Sequence, residues 1–242
     1  PVDSDIQIAI RFIEQSALYY AQVRGLGTLK LNSTREYIEK YTEEFYLVDL
    51  YYRRTLEAYH ELITKENPIE QTFSSAKRQL DLEYAKIANV LNLEWLTCVG
   101  EKGAWFTETG LKRQEDFYKN ESDTSVKQVV IVCDALRYEV AKELMQELAK
   151  EKHIATIDAY QAMLPTETKY CKPALLPHHS LELNGTDMMV DGTLLTTTEQ
   201  RTAHLGKYRE GAICTRYEDV MNGDAQSMRE LFKRPLVYIF YD

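Results

Sequence analysis

The sequence predicts an α/β domain preceded by an all-α helical domain. Apolar residues recur at three- and four-residue steps as far as about residue 122, which is the spacing of one face of a helix. Beyond that point, short β-branched runs alternate with helical stretches, as is typical of a mixed or mainly parallel sheet covered by helices. We therefore expect a helical domain over residues 1–122 and an α/β domain over residues 123–242.

The helical region divides into several predicted helices. The first spans residues 5–22, and a third begins near Phe73. Between them, Ser33 followed by Glu36 forms a capping-box pattern, from which a tyrosine-rich helix extends to about Thr64. Tyrosines at helical spacing favour a core with hydrogen-bonded hydroxyls over a platform that stacks bases. The residues expected to form the apolar face of the first helix are Ile6, Ile10, Ile13, Ala17 and Tyr20.

The α/β region opens with a predicted strand over residues 129–133 that ends at Asp134. Helical spacing follows over residues 137–150, so this part forms a strand-loop-helix unit. Further strands are predicted at residues 154–157, 212–214 and 236–241, and further helical stretches near residues 173–176, 199–208 and 225–232.

Composition narrows the class of protein. The chain carries 38 acidic and 29 basic residues, and its net charge of −9 disfavours a broad nucleic-acid surface, although a local basic groove stays open. No signal-peptide pattern and no apolar run long enough for a membrane span occur. The four cysteines are scattered without a C-x-x-C pair, which favours a reducing, cytoplasmic location.

Several familiar catalytic motifs are missing from the sequence. There is no phosphate-binding loop of the G-x-x-x-x-G-K-[ST] type, no G-x-S-x-G elbow and no H-E-x-x-H helix. The one near miss to a dinucleotide loop, at Gly25 and Gly27, lacks its third glycine and follows a helix instead of a strand. Nucleotide-loop folds are therefore disfavoured.

Asp134 is the first candidate site residue. It follows a predicted buried strand, and in open parallel sheets ligands bind beyond the carboxyl ends of the strands. An aspartate at that position can coordinate a hard cation. The alternative is a helix N-cap, a role that suits an aspartate just before a helix.

Thr168 is the second candidate. A threonine just ahead of a short helix lies in the positive field of free backbone N–H groups, which favours phosphate binding and the alkoxide form needed for attack. A threonine at this place is also a common helix cap. The adjacent His178 and His179 alternate sides in an extended chain, so a structural role is favoured over ligation of one ion.

Taken together, these segments resemble the PglZ family of BREX phage-defence systems, which belongs to the alkaline phosphatase superfamily. The resemblance is strong over about residues 122–242, and the helical region before it resembles what precedes this domain in longer family members. The segments that carry it are residues 129–139, 164–178, 190–192 and 237–242.

The resemblance implies an alkaline-phosphatase-like α/β fold and a metal-dependent phosphohydrolase. By analogy with the Pro-Thr-x-Thr motif of nucleotide pyrophosphatases in that superfamily, Thr168 would be the nucleophile and a metal ligand. Asp134 would match the metal-binding aspartate that ends the first strand. Two divalent ions, usually zinc, would bridge the phosphoryl oxygens and promote attack through a covalent phosphothreonine.

The resemblance also sets limits on activity. Tyr241 stands where family members often carry histidine, and the remaining metal ligands are expected beyond Asp242, so the chain is expected to be an internal fragment that is inactive by itself. The expected partners are a phosphate ester substrate, either a phosphomonoester or a phosphodiester, and other phage-defence proteins. The alternative is a non-catalytic protein-interaction module that keeps the phosphatase-like fold.

Overall fold

A computed structural model describes residues 4–64, 70–102 and 109–241. The chain forms two structural units: the first contains residues 1–110 and 137–157, and the second contains residues 111–136 and 158–242. The domain boundary expected at residue 122 stays a prediction.

The structure contains helices in both units. In chain order they are α1 (Ser4–Gly25), α2 (Thr34–Lys40), a π-helical turn (Tyr41–Phe45), α3 (Tyr46–Thr64), α4 (Glu70–Lys102), a 3₁₀ turn (Gln114–Asp116), α5 (Phe117–Glu121), α6 (Tyr138–Lys150), α7 (Thr168–Ala174), α8 (Thr198–Tyr208), α9 (Tyr217–Met221) and α10 (Ala225–Leu231). The helical character predicted before residue 122 is therefore confirmed for the described residues.

The buried face of α1 differs from the one expected. Ile6, Ile10 and Ile13 are exposed, whereas the buried side chains of α1 are Ile8, Ala9, Phe12 and Tyr19. The ring of Phe12 contacts the rings of Tyr59 and Phe73, so the large aromatic groups determine which face turns inward. The prediction was wrong because apolar spacing alone does not show whether the face with the isoleucines or the face with the aromatic residues is buried.

The helix predicted from Ser33 to Thr64 is confirmed, with a π-helical turn between α2 and α3. The Ser33 side chain accepts the backbone N–H of Glu36, as expected for an N-cap. The carboxylate of Glu36 accepts the backbone N–H of Asn32, one residue earlier than in a capping box.

Several tyrosine hydroxyls in this unit find polar partners, as predicted, whereas the buried hydroxyl of Tyr19 has no hydrogen-bond partner among the described residues. Asp49 accepts hydrogen bonds from Tyr41 at 2.7 Å and from Tyr84 at 2.8 Å. Burial, then the hydrogen bond to Asp49, raises the pKa of the Tyr41 hydroxyl far above its ordinary value. These phenols therefore remain neutral donors that tie neighbouring helices together.

The strands in the described part of the chain form three sheets. They are β1 (Lys112–Arg113), β2 (Gln128–Cys133), β3 (Tyr160–Gln161), β4 (Leu181–Asn184), β5 (Asp187–Val190), β6 (Thr193–Leu194), β7 (Ile213–Arg216) and β8 (Leu236–Tyr241). The main sheet has the parallel order β2-β8-β7, β4-β5-β6 is antiparallel, and β1 pairs with β3 in parallel. The second unit thus has the mixed sheet that the sequence predicted.

The central strand β8 carries the core of the second unit. Its residues Leu236, Tyr238 and Phe240 point to one face and pack with Leu205 of α8 and Leu176, which follows α7. In the register of the sheet, Cys133 lies beside Tyr241, so both strands end at the same edge. Parallel pairing therefore places Asp134 at the carboxyl edge of the sheet.

One predicted strand is absent. Residues 154–157 form no strand, and Ile154 is 100% exposed. The short apolar run has no neighbouring strand to pair with among the described residues, and β-propensity alone does not make a strand. The chain pairs later, at β3, with β1, which is the only strand before residue 120 in the described part of the chain.

Candidate functional site

Asp134 is held at the carboxyl edge by its own backbone and by the following turn. Its N–H donates to the carbonyl of Tyr241 at 3.0 Å, which extends the β2–β8 ladder by one residue. Its Oδ1 accepts the N–H of Ala135 at 2.9 Å. Ala135 has a φ of 56°, a left-handed conformation that is strained for alanine and turns the chain away from the strand. The carboxylate is therefore left at the exposed tip of β2.

Neither candidate residue is a helix cap. Helix α6 has Arg137 at its N-cap position, and α7 has Glu167 there, in both cases without a side-chain capping bond. Thr168 is the first residue of α7. The capping interpretation of Asp134 and Thr168 thus finds no support in the geometry.

The structure brings the two candidate side chains into direct contact. Thr168 Oγ1 donates a hydrogen bond to Asp134 Oδ2 at 2.8 Å. Both residues are exposed, so a ligand can reach them from solvent. The two side chains therefore lie closer together than two ligands on opposite sides of a metal ion would, because the hydroxyl bonds the carboxylate directly.

The segment before Thr168 is tied down by neighbouring groups. The Cys171 thiol lies 3.8 Å from the carbonyl oxygens of Met163 and Pro165. Burial, then the negative charge of Asp134, raises the pKa of the Cys171 thiol, so it stays protonated at neutral pH.

Gln114 also contacts both Met163 and Cys171 through its side-chain amide. Sequence reasoning missed Gln114, because nothing local marks a residue that lies 49 and 57 positions away from its partners.

The two histidines make different contacts. His178 Nδ1 lies 2.8 Å from the carbonyl oxygen of Leu176, and the backbone N–H of His179 donates to Asp191 Oδ1. The contact of the His178 ring suits a structural role, which stays a prediction for both histidines. The buried His204, which sequence reasoning did not single out, contacts the carbonyl oxygen of Pro177 through Nε2 at 2.7 Å.

Asp134 and Thr168 offer oxygen donors to a divalent cation. Carboxylate and hydroxyl oxygens are suitable ligands for hard cations and, in the case of carboxylate, for zinc. Asp134 and Thr168 supply two such donors, whereas a catalytic zinc ion takes about three ligands from the protein. The described residues contain no group of three or more His, Cys, Asp or Glu side chains arranged to hold a metal ion. The pair therefore fits as part of a metal site that needs at least one further ligand.

A parallel sheet with a carboxylate and a hydroxyl paired at its carboxyl edge defines an α/β protein with a candidate hydroxyl-nucleophile site. Comparison with known families identifies the family to which this protein belongs. The chain belongs to the PglZ family: the BREX system PglZ alkaline phosphatase-like domain matches residues 115–242. The family resemblance of the sequence is thus confirmed, and the chain is a BREX-system protein with an alkaline phosphatase-like domain.

Two curated proteins are similar to it. The alkaline phosphatase-like protein PglZ of Bacillus cereus (strain H3081.97) is 28% identical over 244 residues, covering 95% of this chain and 28% of that protein. The alkaline phosphatase-like protein BrxZ of Escherichia coli O9:H4 (strain HS) is 32% identical over 144 residues, covering 55% of this chain and 16% of that protein. The chain thus spans less than a third of the length of these relatives. No solved structure matches it significantly.

Of the helices in the described residues, none is both long and apolar enough for a membrane span.

Proposed function

We propose that this chain carries part of the active site of a PglZ-type metal-dependent phosphatase or phosphodiesterase that acts in BREX phage defence. The hydrogen bond between Thr168 and Asp134 at the carboxyl edge of the sheet is the observation that supports it. In this proposal Thr168 is the nucleophile and a metal ligand, and Asp134 is a metal ligand. The chain spans 28% of the Bacillus cereus relative, so the activity, the phosphate ester substrate and the other phage-defence proteins as partners all belong to the proposal.

The proposed reaction has two steps. Thr168 Oγ1 attacks phosphorus and gives up its proton to water. The bond from phosphorus to the leaving oxygen breaks, the leaving oxygen takes up a proton, and a phosphothreonine forms. Water then attacks phosphorus, the bond to Oγ1 breaks and Oγ1 takes up a proton. The product is phosphate from a phosphomonoester, or a phosphomonoester from a phosphodiester. Asp134 and Thr168 would hold a divalent metal together with further ligands, and the metal, which we propose to be zinc, would neutralise phosphoryl charge and lower the pKa of the Thr168 hydroxyl.

Asp134 orients the nucleophile in this proposal. Because the Oγ1 hydrogen points at Asp134 Oδ2, the lone pairs of Oγ1 are directed away from the carboxylate. Thr168 is exposed, so those lone pairs are accessible to a phosphate ester. The turn through Ala135 and the ladder bond to Tyr241 fix the carboxylate in turn.

The test uses the complete protein, with zinc, manganese or magnesium and an activated aryl phosphate as probe. Thr168→Ala and Asp134→Ala should abolish metal-dependent hydrolysis and shift the unfolding temperature by only a few degrees. Thr168→Ser, which keeps a hydroxyl, should retain part of the activity. Thr97→Ala is a matched control, because the exposed hydroxyl of Thr97 donates to a backbone carbonyl within its own helix, α4. Hydrolysis by the Thr168→Ala variant at the wild-type rate would refute the assignment of the nucleophile.

The alternative is an interaction module without catalysis. Three leucines on α4, Leu82, Leu93 and Leu96, are 59%, 56% and 59% exposed and recur at helical spacing, which favours a protein-binding surface. This alternative predicts that the complete protein with Thr168→Ala still protects cells from phage. Loss of protection together with loss of hydrolysis supports the enzyme instead.

A further inference from the structure

A single side chain bridges the two ends of the segment that carries Thr168. Gln114 Oε1 accepts the backbone N–H of Met163 at 3.1 Å, and its Nε2 donates to the carbonyl oxygen of Cys171 at 3.1 Å. Thr168 lies between these two attachment points. One amide group therefore fixes the entry and the exit of the loop.

The orientation of this amide follows from its partners. A backbone N–H requires an acceptor and a backbone carbonyl requires a donor, so only one placement of the amide oxygen and nitrogen satisfies both. The bridge also requires the full length of glutamine. Asparagine is one methylene shorter, and a carboxylate would lack the donor that Cys171 needs.

The position of Gln114 is itself well determined. It follows β1, whose Lys112 and Arg113 pair in parallel with Tyr160 and Gln161 of β3. This ladder aligns the chain just before Gln114 with the chain just before Met163. The glutamine is half-buried and begins the 3₁₀ turn Gln114–Asp116. The backbone of Gln114 is therefore held in place independently of the bonds that its side chain makes to Met163 and Cys171.

The bridged segment is otherwise open to solvent. Thr166, Glu167 and Thr168 are exposed, and the local bonds within the segment include that from the N–H of Glu167 to the carbonyl of Pro165 at 2.8 Å. Cys171 lies one turn after Thr168 on α7, so fixing its carbonyl fixes the start of the helix. A nucleophile requires placement to a fraction of an ångström, and an exposed loop alone does not provide it.

We infer that Gln114 is a positioning residue that holds Thr168 in line for attack, an inference that rests on the proposed function. It lies just outside the residues matched by the family, which begin at residue 115. It acts through the backbone of Met163 and Cys171 and does not touch the reacting atoms. The region before the matched domain thus contributes to the site.

The first test measures the bridge without using activity. In Gln114→Ala, the amide hydrogen of Met163 should exchange with solvent about tenfold faster, because its acceptor is gone. Gln128→Ala is the matched control: Gln128 likewise bridges two backbone groups, the N–H of Asp123 and the carbonyl of Glu121, but at the opposite end of β2. It should leave Met163 exchange unchanged. Equal exchange at Met163 in wild type and Gln114→Ala overturns the inference.

The second test uses aryl phosphate hydrolysis by the complete, metal-loaded protein. Gln114→Ala should lower kcat about tenfold to a hundredfold with KM within about twofold, as expected when a nucleophile is misplaced. Gln114→Glu should be impaired near neutral pH, and its activity relative to wild type should rise as the pH falls, because the protonated carboxyl regains a donor for Cys171. Gln128→Ala should keep the wild-type kcat.

The outcomes separate the two proposals. If Gln114→Ala keeps the wild-type kcat while Thr168→Ala is inactive, the inference falls and the proposed function stands. If the wild-type protein shows no hydrolysis, the proposed function falls, and with it the inference that Gln114 serves catalysis. The exchange measurement then reports on the bridge alone.

Discussion

Tyr208 donates the hydrogen of its hydroxyl to Oδ2 of Asp191, and Oδ1 of the same carboxylate accepts the backbone N–H groups of His179 and Ser180, each at 2.8 Å. Burial by itself raises the pKa of Asp191. The hydrogen bonds from Tyr208 and from the two N–H groups outweigh it and lower the pKa to about 2. Asp191 therefore ties β5 to the chain that follows α7.

This arrangement predicts a pH-dependent stability. An unfolded aspartate has a pKa of about 3.9, so the contribution of Asp191 is fully present above that value and is lost as the pH falls toward about 2. Asp191→Asn should be less stable than wild type by about 1–3 kcal/mol at pH 7. The difference should narrow between about pH 4 and pH 2. Urea unfolding at several pH values checks this, with the exposed Asp158→Asn as control. A difference that does not change with pH would contradict the assignment.

A second prediction concerns the core of the second unit. Leu205 of α8 is 0% exposed and packs against β8, so Leu205→Ala should lower the free energy of unfolding by about 2–5 kcal/mol. Leu183→Ala, at a position that is 63% exposed, should change it by less than about 0.5 kcal/mol. Denaturant unfolding measures both. If Leu205→Ala lowered the free energy of unfolding as little as Leu183→Ala, α8 would not be part of the core.

Arg209 supports a third prediction. Its guanidinium is almost fully buried and donates to the carbonyl oxygens of Asp123 and Val126 and to Oε1 of Gln128, at 3.0, 2.5 and 3.1 Å. A lysine ammonium cannot span these three acceptors, so Arg209→Lys should destabilise the chain by about 1–3 kcal/mol. Arg229→Lys, at an exposed position, is the control for the charge-conserving change. No difference between the two variants in thermal unfolding would refute the role of the planar guanidinium.

The left-handed turn after β2 yields the fourth prediction. Ala135 has a φ of 56°, where a β-branched side chain clashes with the backbone. Ala135→Val should therefore destabilise the chain by about 1–2 kcal/mol, whereas Ala135→Gly should leave its stability unchanged or raise it slightly. The free energy of unfolding of the three proteins tests this order. Equal values for valine and glycine would show that the turn relaxes to another conformation.

Local patterns were sufficient to locate much of the fold. Strands β2 and β8 were predictable because each is a short apolar run that ends at an aspartate, and Asp134 followed from the end of the first. Thr168 followed from a short motif and a family resemblance. Two features could not be predicted, because they depend on contacts that are distant in sequence. Phe12 is buried in the core of the first unit where Ile6 was expected, and Gln114 bonds residues far away in the chain.

The pairing of β2 with β8 has a consequence for synthesis on the ribosome. Residue 128 pairs with residue 236, so β2 leaves the ribosome about a hundred residues before its partner exists. At roughly 5–20 residues per second, that interval lasts on the order of 5–20 s. During this interval β2, which is mostly valine and isoleucine, lacks the strand that pairs with its backbone N–H and C=O groups. Such unpaired strands are prone to aggregate. The nascent chain is therefore most vulnerable between the completion of β2 and the arrival of β8, when a chaperone that binds extended apolar segments would protect it best.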